Sequence, residues 1–147
     1  MNPELIFKLA SSLALVSWLG LAVSPYCAPW SPRVRLAAGY VVPLLLAVVY
    51  VVLFAANGMA GGGFGSIDAV QRLMAVPGLL TAGWLHYLAF DLFVGAWIAE
   101  RAGVMAVPHL LLLPLLALTF MFGPAGLLAF YVLGLLWSRR KTQRLQA

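Results

Sequence analysis

The chain has 147 residues, 64% of them hydrophobic and 9% charged, with a mean hydropathy of +1.01. Soluble domains carry roughly 45–50% apolar and about 25% charged residues, so this composition excludes a water-covered surface and indicates an integral membrane protein, a single domain over residues 1–147 with room for a few spans. The net charge of +5 comes from nine Lys or Arg against four Asp or Glu. These cations lie outside the apolar runs and no nucleic-acid-binding motif accompanies them, so they read as topology signals and lipid-headgroup contacts.

The first apolar run covers about residues 5–23, with Lys8 near its start able to snorkel to the interface. A positive residue before an apolar run resembles a signal peptide, but SPYCAPWSP follows instead of a small-x-small cleavage site, and the run is expected to be a retained span. Cys27, alone, can form no internal disulfide and no metal-ligand pattern. The second span is expected at 36–56, with Pro43 as a kink. NGMAGGGFGS then reads as a flexible connection; its GGGFG lacks the GKS/T ending of a phosphate-binding loop. SIDAVQRLM follows, with Ser66 as N-cap and Asp68 in the first turn, predicting a short amphipathic helix over 67–75 that lies in the interface, as an anchor or as a lid.

The third span is expected at 78–99, closed by Glu100 and Arg101, and the fourth at 110–137. The fourth is longer than a hydrocarbon core of roughly 30 Å at about 1.5 Å per residue, so it must tilt, bend or protrude. Pro114 and Gly123-Pro124-Ala125-Gly126 are the places to bend; the small residues either permit close packing or leave a backbone carbonyl free for a ligand. A basic tail occupies 138–147 and is expected to touch membrane lipids. The predicted fold class is therefore all-α: four transmembrane helices plus one short interfacial helix between spans two and three. With that topology six Lys or Arg fall on the side of the N-terminus and tail and three on the other, so both termini are expected in the cytoplasm.

Asp91 is the residue that composition alone does not explain. A charged Asp near the bilayer centre costs about 2.5–3.5 kcal/mol on insertion scales, so this one is either protonated or paired, and a group in either condition can handle protons. It shares a helical stripe with Trp84, Tyr87, Leu88, Gly95 and Ile98. His86 lies about 140° round the same helix, so the two meet only in a cavity spanning two helix faces or across a substrate. The structural alternative is a polar clamp in which Trp84, His86, Tyr87, Thr119 or Tyr131 hydrogen-bonds Asp91. His86, His109, Asp91 and Glu100 do not have metal-ligand spacing, and no nucleophile elbow or CxxC is present; no metal and no cofactor is expected.

VPGLLTAGWLHYLAFDLFVGAWI together with PHLLLLPLLALTFMFGPAGLLAFYVL resembles the abscisic-acid-deficient-four-like family of small membrane proteins, whose plant members are linked to neoxanthin formation. The resemblance rests on Trp-x-His-x-x-Ala-x-Asp-Leu in one span and Gly-Pro-x-Gly in the next. It implies a four-helix membrane fold and, in the plant members, conversion of an epoxy-carotenoid to an allenic isomer, which formally needs an acid at the epoxide oxygen and a base at a vinylic carbon, without a redox cofactor. On that resemblance Asp91 and His86 are the catalytic candidates, and Trp84, Tyr87, Gly123 and Pro124 line the substrate.

The expected function is thus cofactor-independent acid/base isomerisation of a carotenoid or other isoprenoid lipid. The competing expectation is a non-catalytic lipid- or pigment-binding scaffold or accessory subunit; a proton-linked transporter is disfavoured because no repeat is visible in four spans. Self-association is left open. The chain opens almost directly on a span with no Arg- and Ser-rich transit segment, which points to a bacterial inner membrane.

Overall fold

The computed structural model describes residues 2–26 and 29–146, with side chains as far as Trp137; Cys27 and the side chains of the basic tail lie outside the described residues. Asn2 starts the first helix, α1 (Pro3–Val23), by accepting hydrogen bonds from the Glu4 and Leu5 amides at 3.1 and 3.3 Å, with proline next to it where a missing N–H costs nothing. Lys8 reaches Glu4 at 3.1 Å one turn back. A 3₁₀ turn, Ser24–Tyr26, closes α1.

The second rod is helical from Ser31 to Asn57 but not uniform. It comprises α2 (Ser31–Leu36), a π-turn (Ala37–Val41) and α3 (Val42–Asn57). Pro43 has no N–H for the carbonyl one turn before it, and the wider π-turn, with the Val42 amide reaching back to the Ala37 carbonyl, re-registers the ladder ahead of it. What the sequence marks as a kink is therefore a π-turn, and the rod begins earlier than residue 36, taking in Arg33 and Arg35.

Ser66 caps α4 (Ile67–Met74) by accepting from the Ala69 amide at 3.2 Å, and Leu73 is the residue it buries. The glycine-rich connection packs on this helix: a Cβ at Gly62 would overlap the Leu73 backbone. Val76 and Pro77 then start α5 (Pro77–Val104), the helix on which α1, α3, α4, the π-turn and the last helix pack. Small residues allow the closest approaches. Gly95 leaves room for the Trp18 indole, and Gly39 of the π-turn lies against Ala96. Four helical segments, Pro3–Tyr26, Ser31–Asn57, Pro77–Val104 and His109–Trp137, are long and apolar enough to cross a membrane, and they contain the expected spans. No strand occurs among the described residues.

The last of these, in α6 (His109–Gln146), bends at the GPAG site as its length requires, and the bend is a reversal. Phe122 and Gly123 leave helical backbone geometry, with φ/ψ of −143°/37° and 8°/−76°. Before the break, Phe120 packs its ring 5.6 Å from Trp18 and lies beside Tyr87. After it, Phe130 and Tyr131 lie 5.6 and 6.0 Å from Trp97, and Trp137 donates to the Met105 carbonyl at 3.2 Å. Moving forward along α6 beyond residue 123 thus moves toward the C-terminal end of α5, where α6 began. A Cβ at Gly126 would overlap Thr119, as expected of two arms facing each other across a tight turn. The arms 109–121 and 124–137 are each about 20 Å long at 1.5 Å per residue.

The reversal sets Pro3 and Trp137, near the two ends of the described chain, toward opposite ends of α5. The Pro3 carbonyl accepts from Thr81 near the start of α5, whereas Trp137 lies against Met105 just past its end. The two positions are separated by roughly the length of α5, about 40 Å. The prediction is that, in sealed vesicles, proteolysis from one face removes a tag fused to one terminus and leaves a tag on the other protected. Simultaneous loss or simultaneous protection of both tags would contradict it.

Candidate functional site

Asp91 projects from the middle of α5 onto the break in α6. It is 9% exposed, its Oδ2 is fully enclosed, and that oxygen has no hydrogen-bond partner among the described residues. Gly123 makes the position possible, since a Cβ there would overlap the carboxyl group. One turn earlier on the same face stands Tyr87, whose hydroxyl faces the carboxyl and lies 3.2 Å from both the Phe120 and Met121 carbonyls. The reason those carbonyls need a donor is local. In an unbroken helix the Phe120 carbonyl would accept from residue 124, which is proline and has no N–H, and the Met121 carbonyl is cut off from Ala125 by the distorted backbone between them. In an apolar medium each orphaned carbonyl is costly, so the phenol serves as a side-chain cap on the first arm.

Trp84 extends the same stripe. Its ring stacks on Tyr87 at 5.4 Å and on Phe7 at 5.1 Å, and its Nε1 donates to Ser11 at 2.9 Å. The stripe Trp84, Tyr87, Asp91 therefore leads along α5 to Gly123, with Trp84 about two turns from the carboxyl. Met121 and Phe122 at the turn are exposed on the outer surface.

His86 does not join it. Its ring lies 5.9 Å from Tyr50 of α3 and 4.7 Å from Phe90, on the α3 side of α5 and away from α6. No contact joins His86 to Asp91 among the described residues: His86 meets Tyr50 of α3, whereas Asp91 faces Gly123 of α6. The other expected clamp partners are also engaged elsewhere, Thr119 donating to the Leu115 carbonyl and Tyr131 stacking near Trp97. Among the described residues no group of three His, Cys, Asp or Glu side chains gathers where it could hold a metal.

A second feature went unread in the sequence. Between α2, the π-turn and α5 lies a cavity of about 680 Å³, with Ser31, Arg35, Trp97 and Glu100 in its wall. A wholly apolar cavity of about 280 Å³ adjoins it, sharing Gly39, Tyr40 and Phe93 and continuing along Leu44, Ala47 and Phe90. Arg35 and Ser31 fell just outside the apolar run that marks the span; an arginine immediately ahead of such a run is the signal that was there to find.

These features define a polytopic helical membrane protein whose polar site lies at the level of a helix break inside the apolar layer. The ABA DEFICIENT 4-like family matches residues 5–130, and the chain belongs to that family. The match takes in the first two spans as well as the two that carry the motifs. Searches of curated proteins and of solved structures gave no match to the chain.

The fit of carboxyl to glycine yields a test. Gly123→Ala should destabilise the protein by about 1–3 kcal/mol through overpacking, read as a lower midpoint in thermal unfolding in detergent. Adding Asp91→Ala, which removes the clashing carboxyl, should recover part of that loss. Additive effects of the two substitutions would show that the contact is not what Gly123 provides.

Proposed function

We propose that this protein is a membrane isomerase that moves a proton on a carotenoid-type or other isoprenoid lipid, with Asp91 as the acid and base. The observation that carries the reading is the enclosed Oδ2 of Asp91, which has no hydrogen-bond partner among the described residues. A clamp would use both carboxyl oxygens, and leaving one unsatisfied costs about 1–3 kcal/mol. A proton or a substrate atom is the natural complement.

In an epoxide-to-allene isomerisation the carboxylic acid donates its proton to the epoxide oxygen as the C–O bond breaks, giving a hydroxyl. The resulting carboxylate takes the proton from a vinylic carbon, and the freed electron pair becomes the second double bond of the allene. Proton count and oxidation state are unchanged, so no cofactor is consumed. Tyr87 orients the carboxyl, and a lipid-soluble substrate reaches it sideways past Met121 and Phe122. His86 has no part in this step.

A second reading, in which Asp91 and Tyr87 only hold α5 to α6 beside a bound lipid, is favoured by the close fit of the carboxyl to Gly123 and by the described cavities, none of which Asp91 lines. Asp91→Asn separates the two, because it keeps the shape and removes the carboxyl that gives up and takes back a proton. In vesicles containing an epoxy-carotenoid, chromatography of the pigments should show product formation reduced about 10²–10⁴-fold, with folded yield unchanged. Normal product at normal yield would remove Asp91 from catalysis, and collapse of the yield would support the clamp.

The same reading places the protein in a bacterial inner membrane. Among the described side chains Arg33, Arg35 and Arg101 lie toward the Met105 end and Lys8 and Arg72 toward the other, and the sequence adds Arg139, Arg140, Lys141 and Arg144 shortly after Trp137. That imbalance favours a cytoplasmic tail touching anionic lipid and an N-terminus on the far side.

A further inference from the structure

We propose that the cleft between α2 and α5 is a phospholipid site, with the phosphate on Arg35 and Ser31, the headgroup amine on Glu100 and one acyl chain in the apolar arm. This site is independent of the isomerase reading. Phe93, Ala96 and Glu100 occupy the face of α5 opposite to Tyr87 and Asp91.

Two unpartnered donors point to the phosphate. Ser31 is 7% exposed and its Oγ is enclosed without a hydrogen-bond partner among the described residues; the Arg35 Nε is enclosed in the same condition. Both residues line the same cavity. Burying a donor with nothing to donate to costs about 1–3 kcal/mol, more where the group is charged, and one phosphate, with several acceptor oxygens, answers both. A guanidinium and a hydroxyl are also the donor types that phosphate groups commonly engage. Glu100, exposed in the wall of that cavity, supplies the opposite charge, and no Arg35–Glu100 ion pair forms among the described residues. One cation and one anion left separate across a cleft complement a headgroup carrying both phosphate and ammonium.

The apolar arm distinguishes a lipid from a free anion. It continues from the polar cavity past Tyr40 and Phe93, whose rings meet edge-on at 6.2 Å, and runs along Leu44, Ala47 and Phe90 with no polar lining. Inorganic phosphate would leave it empty, whereas an acyl chain would cover it. Two geometric details agree. The polar cavity lies where the apolar segments end, beside Ser31 at the start of α2 and Glu100 near the end of α5. The residues shared by its two parts include Gly39 and Tyr40 of the π-turn, and such turns occur frequently at functional sites.

The test is native mass spectrometry of the full chain released from nanodiscs holding equal amounts of phosphatidylethanolamine and phosphatidylglycerol. The wild type should retain one phosphatidylethanolamine in preference to phosphatidylglycerol, and added inorganic phosphate should not displace it. Arg35→Gln should lower retention of both lipids about tenfold or more, the loss of a charge-assisted hydrogen bond. Glu100→Gln should abolish the preference while keeping the phosphatidylglycerol. Ala47→Phe, at an exposed position that tolerates bulk, should weaken retention by filling the apolar arm, and it decides the matter if Arg35→Gln fails to fold. Equal retention by the wild type, Arg35→Gln and Ala47→Phe would overturn the proposal. Displacement by inorganic phosphate would overturn it in favour of a free-anion site, and a wild-type preference for phosphatidylglycerol would overturn the role of Glu100.

Discussion

Proline at position 124 removes the one amide that the Phe120 carbonyl would need to continue its helix, and the C-terminal half of the molecule follows from how that loss is met. In water the carbonyl could turn to solvent. In an apolar layer it needs a donor from the protein, and the Tyr87 hydroxyl supplies it. Because one phenol can reach both the Phe120 and Met121 carbonyls, the first arm of α6 can stop where it does and the chain can reverse.

The reversal then determines what surrounds Asp91. A straight helix would carry residues 130–137 toward the start of α5. Instead they return past Trp97 to Met105, and Gly123 becomes the apex, facing the carboxyl. Glycine is required there for space: any side chain would occupy the volume the carboxyl fills. Tyr87 and Asp91, one turn apart on α5, thus play complementary parts, the first satisfying the broken backbone and the second placed in the gap that the break opens. On its other faces α5 meets Trp18 through Gly95 and the π-turn through Ala96, so its rotation is fixed by close contacts on several sides.

Hydropathy and length made the spans legible, because burial in lipid demands long apolar helices whatever their packing. The cap at Ser66 was legible because its chemistry is local, and the break at GPAG because a proline inside a helix must cost a hydrogen bond somewhere. The direction of the break was not legible. Proline specifies a missing bond and leaves the angle to contacts with residues such as Trp97 and Met105, which are distant in sequence until the chain has folded. The same limit applies to His86. Periodicity gave its angle from Asp91 correctly, but which neighbour lies at each angle depends on the rotation of α5. The cleft around Arg35 was missed because hydropathy placed the start of the span at residue 36, while the helix begins at Ser31 and brings its arginine inside the fold.

The reversal of α6 is the claim on which the site depends, and a distance decides it. Spin labels at positions 111 and 135, both exposed in the native chain, would be read by pulsed electron paramagnetic resonance in lipid. Antiparallel arms pack about 8–10 Å apart, so the labels should be separated by less than roughly 20 Å once their linkers are included. A continuous helix would hold them about 36 Å apart, and a distribution centred there would contradict the account.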